Sequence, residues 1–177
     1  MIATPAHDHR VNSFYLMGVI HSYMSGMFDL DWCKVGGAGI ARARNNCVHE
    51  FKKTNREWLM WVDSDIRWNP KHLERLLSHN VSIVGGLYTH KTRNTVWCMD
   101  RPDQKGPDFN TGLQACEKIG TGFMLTHRDV YAQMEKAFPD MAYVEDLDEH
   151  RGQSMFGYFA DSVFHDPGFG PFGRWLT

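Results

Sequence analysis

The hydrophobic pattern is densest at Trp58-Leu59-Met60-Trp61-Val62, five large apolar residues with no alternation, closed at once by Asp63-Ser64-Asp65. An unbroken apolar run of this length predicts a central strand buried on both faces. The other segments arrange themselves around it. Ile2-Ala3-Thr4-Pro5 is a short apolar run ended by proline and reads as a first strand entering its loop. Asn12 or Ser13 can cap a helix to about Met27, with Phe14, Tyr15, Gly18, Val19, Tyr23, Met24 and Met27 or Phe28 at helical spacing. Asp29 to Val35 can hold a second strand, and Gly36-Gly37-Ala38-Gly39 breaks the chain before a helix over about Ile40 to Lys53. Asn69-Pro70 supplies an N-cap and a proline at the first helical position for a helix to about His79, burying Leu73, Leu76 and Leu77. Val81-Ser82-Ile83-Val84 is β-branched and ends in Gly85-Gly86, where backbone can approach a neighbour closely.

This alternation of β and α predicts an α/β fold with a mostly parallel sheet. Beyond residue 90 the period fades. Arg101 to Asp108 is polar and proline-containing, a hairpin excursion or a substrate loop. Ile119-Gly120-Thr121-Gly122-Phe123-Met124-Leu125 is strand-like again, and a helix follows with Val130, Tyr131, Met134 and Phe138 on one face. Glu145, Asp146, Asp148, Glu149 and His150 read as a solvated acidic turn, and Met155 to Phe164 as an aromatic strand. Asp166 to Gly173 is too rich in glycine and proline for regular structure and suits a flap.

Composition changes this picture little. A chain of 177 residues with 42% hydrophobic content can bury a core as one domain over 1–177. With 19 basic and 21 acidic side chains, the net charge of −2 carries no footprint of sequence-independent nucleic-acid binding. Cys33, Cys47, Cys98 and Cys116 have neither zinc-ribbon nor disulfide spacing and read as buried thiols in a reducing compartment. The expectation is a cytoplasmic protein without membrane spans.

The candidate chemistry lies at the carboxyl end of the central strand, where open α/β sheets bind ligands. Asp63 and Asp65 can reach one hard cation, Mn2+ or Mg2+, or else form an acidic turn capping the next helix. Arg44 falls on the apolar stripe of its helix with Ile40, Cys47, Val48 and Phe51, whereas Arg42 points the other way. An inward guanidinium just after a glycine-rich loop can hold a phosphate or carboxylate, or pair with a sheet-end aspartate. The ten histidines read as scattered and mostly exposed, none with a catalytic role.

Ile2-Ala3-Thr4-Pro5, Ala41-Arg42-Ala43-Arg44-Asn45, Trp61 to Ile66 with Asn69-Pro70, Ile83 to Tyr88 and Gly120-Thr121-Gly122-Phe123-Met124 together resemble a glycosyltransferase of the GT-A fold. The likeness is to the family 2 type and its short phage and bacterial relatives. It implies a GT-A-like, Rossmann-like mixed sheet with flanking helices. Residues 1–90 would be the nucleotide-sugar-binding half, and 91–177 an acceptor-side half that stops short at its C-terminus. It also implies a nucleotide-sugar donor, an acceptor hydroxyl on a glycan, protein or other molecule, and inverting transfer. Thr4 and Pro5 would form a loop near the base, with Asp63 near the ribose or metal, Asp65 on the metal, and Arg44, Asn45 and Gly122 beside the donor. The family's catalytic Glu-Asp pair is expected where the chain ends at Thr177. Glu145-Asp146 precedes the flap, which leaves Asp161, with Asp166, as carboxylates in reach, and His165 as a loose match to a further metal ligand. Two other readings are a nucleotide-sugar-binding remnant without turnover and a nucleotidyltransferase. The latter would need a glycine-rich basic loop after the first strand, and Ala6-His7-Asp8-His9-Arg10 is not one.

Overall fold

The computed structural model describes residues 1–6, 8–36, 39–89, 97–100, 106–146 and 150–159. Its frame is a five-stranded mixed sheet in the order β2-β1-β3-β7-β4, built from β1 (Ile2–Ala6), β2 (Trp32–Gly36), β3 (Trp58–Val62), β4 (Ile83–Gly85) and β7 (Phe123–His127). The chain is an α/β fold, as its alternating pattern predicts. β1 runs parallel to both β2 and β3, while β7 lies antiparallel between β3 and β4. Four of the five strands therefore point the same way. Their carboxyl ends and the amino end of β7 form one edge, where Ala6, Gly36, Asp63, Gly85 and Gly122 assemble.

The apolar run 58–62 does become the central strand, and its alternate residues serve two cores. Leu59 and Trp61 face α2 (Ile40–Lys52) and α4 (Arg128–Ala137), packing with Cys47, Val48, Phe51 and Tyr131. Met60 and Val62 face α1 (Ser13–Met24) and α3 (Pro70–Ser78), packing with Tyr15, Val19, Leu73 and Leu76. Trp61 is fully buried, and its indole N–H donates to Tyr131 Oη at 3.0 Å. Asn69 caps α3, its side chain accepting from the Lys71 N–H while His72 Nδ1 accepts from the Asn69 N–H. This is the predicted helix start, closed by a reciprocal capping pair.

Three elements depart from the pattern. α1 ends at Met24 rather than Met27, and it buries only Tyr15, Gly18, Val19 and Ser22. Phe14, Tyr23 and Met24 stay exposed, because the helix packs through the close approach of Gly18 to the Trp68 indole, which narrows its buried face. β1 does not turn at Thr4-Pro5 but continues to Ala6 beside Val35 and Gly36. Proline is tolerated there because the ladder to β3 covers only Ile2 and Ala3, so the missing N–H interrupts no bond on that side. The acidic run is solvated at Asp146 but not at its other described positions, Glu145 and His150. Glu145 is 1% exposed and His150 4%, buried against α2 by a hairpin of β8 (Ala142–Val144) and β9 (Ser154–Phe156).

Between β4 and β7, β5 (Met99–Asp100) and β6 (Lys118–Ile119) pair antiparallel, which favours the hairpin reading of that excursion. The four cysteines are free, with Cys47 buried and the others partly exposed. Among the described residues, no helix is long and apolar enough to cross a membrane.

Candidate functional site

Asp63 leaves β3 at the carboxyl edge of the sheet, its N–H donating to the Gly122 carbonyl at 2.9 Å. That bond extends the β3–β7 ladder by one residue and aims the carboxylate across the edge. Arg44 reaches it from the second turn of α2, with Nη2 3.5 Å from Asp63 Oδ1. The guanidinium side chain is only 16% exposed, and Cζ stands 5.6 Å from the centre of the Phe159 ring. Arg44 is thus held between a carboxylate and an aromatic ring, the inward position its place on the apolar stripe predicts. Its Nε has no hydrogen-bond partner among the described residues.

Gly122 closes the floor. A Cβ there would lie 2.8 Å from Asp63 Oδ2 and 2.7 Å from Tyr88 Oη, so only glycine lets the three groups meet. Tyr88 is a site residue that sequence reasoning passed over. Its hydroxyl accepts from the Gly122 N–H at 2.9 Å, and burial pushes its phenol up to about 12, which keeps it neutral. The Tyr88 within Ile83 to Tyr88 was legible as part of a motif, but its contact with residue 122 depends on the long excursion between them.

Asp65, two residues beyond Asp63, is exposed at the same edge. The other sequence-predicted residues fall elsewhere. Thr4 is fully buried, and its hydroxyl pairs with the Tyr15 hydroxyl beneath the sheet, while Pro5 is buried inside β1. Neither forms a loop beside a ligand, because the strand outruns its proline. Asn45 turns its amide to the backbone of Phe159, donating to the carbonyl at 3.0 Å and accepting from the N–H at 2.9 Å. Its role in the fold is to dock the segment that carries the Phe159 ring onto Arg44. Asp161, Asp166 and His165 lie outside the described residues.

Arg42, expected to point away from the core, reaches Glu145 at 3.7 Å and Asp146 at 3.4 Å. The hairpin of β8 and β9 covers that flank of α2, which explains the difference. Lower on the same helix, His49 and Glu50 meet His150 from the turn between β8 and β9, with Glu50 Oε1 3.6 Å from His150 Nε2. His49 Nε2 lies 2.8 Å from Gln153 Oε1, and burial first of all lowers its pKa below the ordinary 6.5. The ten histidines are therefore not uniformly scattered. No spacing in the sequence joins residue 150 to residue 49, so this group was invisible there.

Among the described residues, cavities of about 560 and 510 Å3 open on two faces of the molecule, and neither of these is lined by Asp63 or Asp65. The first lies between α1 and α3 against Phe14, Met17 and Trp68, and the second runs along α2 past Asn45, His49 and Lys52. The charged groups converge instead at the sheet edge, around Asp63, Arg44 and Asp65.

No protein-family model matches the chain, and no curated protein does. Among solved structures, A197 from STIV is similar to it with a TM-score of 0.52 at 16% identity, over 75% of this chain and 66% of A197. At that identity the likeness is one of fold.

Proposed function

We propose that the chain is a metal-dependent glycosyltransferase that moves a sugar from a nucleotide-sugar donor to an acceptor hydroxyl, with inversion. The observation that carries this reading is the meeting of Asp63, Arg44 and the Gly122 backbone at the carboxyl edge of the parallel strands, with Asp65 exposed beside them. Two carboxylates there form an oxygen donor set suited to a hard divalent cation, Mn2+ or Mg2+. When bound, such an ion would supply Lewis-acid neutralisation of the diphosphate leaving group.

The chain's own groups do the rest. Arg44 is fixed before any ligand arrives, since Asp63 and Phe159 flank its guanidinium, and a fixed cation stabilises developing phosphate charge without reorganising. Asn45 positions that arrangement by docking Phe159. The Tyr88 hydroxyl holds the Gly122 N–H and so keeps the floor of the site in place. Asp161 follows Phe159 by two positions in the sequence and is our choice for the base that takes the acceptor proton.

The test is nucleotide release from UDP-, GDP-, ADP- and dTDP-sugars with Mn2+, in wild type, Asp65→Ala and Asp161→Asn. Wild type is expected to release nucleotide from one donor class, and each variant to lose about 100-fold or more. Equal release in Asp65→Ala would sink the metal assignment. Mn2+-dependent nucleotide binding with no release in wild type would favour the donor-binding protein without turnover.

A further inference from the structure

We propose that His49, Glu50 and His150 form a second metal site, for a divalent transition-metal ion of which Zn2+ is the best match, distinct from Asp63 and Asp65. One ligating atom from each of the three residues lies within 4.8 Å of the others. Ligand atoms bonded to Zn2+ at about 2.0–2.2 Å in a tetrahedron stand about 3.3–3.6 Å apart. The 3.6 Å between Glu50 Oε1 and His150 Nε2 is already at that separation, so only the His49 ring must close in.

The donor set decides the ion. Two imidazoles with one carboxylate favour zinc and its neighbours over Mg2+ or Mn2+, which prefer oxygen. The surroundings are also those of a built site. His150 is buried, and its ring meets His49 edge to face with centroids 5.2 Å apart. Gln153, three residues beyond His150, holds His49 Nε2 at 2.8 Å, so one turn supplies both a ligand and an orienting group. His49 also lines the cavity of about 510 Å3 along α2, which gives an ion a route from solvent. Three protein ligands leave a fourth position for water, as in open zinc sites. Lys53 Nζ holds Glu50 Oε1 at 2.7 Å and must swing aside on metal entry. Its half-exposed side chain has solvent to move into.

The competing role for these residues is purely structural, with His150 and Glu50 pinning the hairpin to α2. Chelator-treated protein titrated with Co2+ separates the two. Wild type and an Asp63→Asn, Asp65→Asn double variant should each bind one equivalent with the visible absorption of four-coordinate Co2+, and Zn2+ should displace it. His49→Ala and, in parallel, Glu50→Gln should keep the far-UV circular dichroism of wild type while weakening Co2+ binding about tenfold or more. No visible band in wild type, an undiminished band in both His49→Ala and Glu50→Gln, or loss of the band in the carboxylate double variant instead, overturns the proposal.

Discussion

Gly122 has no room for a side chain. A methyl group at that position would stand 2.8 Å from Asp63 Oδ2 and 2.7 Å from Tyr88 Oη, below ordinary contact, so at least one neighbour must shift. The Tyr88 hydroxyl is held by the Gly122 N–H, which leaves the Asp63 carboxylate, tied to the Gly122 carbonyl only through its backbone, as the group that swings away. Gly122→Ala is therefore expected to cost about 1–3 kcal/mol of stability by overpacking. It should also weaken Mn2+-dependent nucleotide binding, because the displaced carboxylate is the one beside Arg44. Denaturant midpoints and nucleotide titrations check the two effects separately, and an unchanged nucleotide affinity would place Asp63 outside the site. At this scale Asp63 and Arg44 were legible in the sequence, the first from the strand it ends and the second from the helical stripe it interrupts. Asn45 was legible as a position but not as a role. Its partner Phe159 lies 114 residues away, and nothing local to residue 45 names it.

Helix α2 contributes to both sites, with Arg44 and Asn45 toward the sheet edge and His49 and Glu50 about one and a half turns on. His49 follows Arg44 by five positions, about 7–8 Å along the axis, so one rigid element serves both clusters. Asn45→Ala tests how the upper cluster is held. The substitution leaves the N–H and carbonyl of Phe159 without their amide partner, at a cost of about 1–3 kcal/mol. It also frees the ring that flanks Arg44. The expected readout is a rise in KM for the donor larger than any fall in kcat, whereas a fall in kcat with KM unchanged would make Asn45 part of the chemistry. The helices themselves were readable because caps and breaks sit in the sequence beside them, as Asn69-Pro70 does before α3. Their buried faces were less so. Periodicity assigns Phe14, Tyr23 and Met24 to the inner side of α1, and the choice falls instead to Trp68, a tertiary partner that packs on Gly18.

At the scale of the whole sheet, the edge that bears Asp63 is separated from the edge that fastens the strands together. At the latter, Arg56, just before β3, clamps two residues that precede β2. Its Nε donates to Asp31 Oδ2 at 2.6 Å and its Nη2 to Asp29 Oδ1 at 2.9 Å. The Asp31 carbonyl meanwhile accepts from the Ile2 N–H at 2.8 Å, which brings β1 into the same junction. Hydrogen bonds from Arg56 hold both carboxyl groups below their ordinary value of 3.8. A carboxylate depressed on folding contributes stability that is fully present above its unfolded pKa and is lost as pH falls through the folded one. Unfolding midpoints measured from neutral pH downward should therefore hold until about pH 4 and then fall, and more steeply in wild type than in Arg56→Met. The groups are solvent-exposed, so added salt should shrink the difference between the two proteins. Because the clamp lies at the opposite end of the strands from Asp63, Arg56→Met at neutral pH should lower the melting temperature and leave Mn2+-dependent nucleotide affinity where it was. A parallel loss of affinity in protein still folded at the assay temperature would show that the two edges are coupled through β1 and β3.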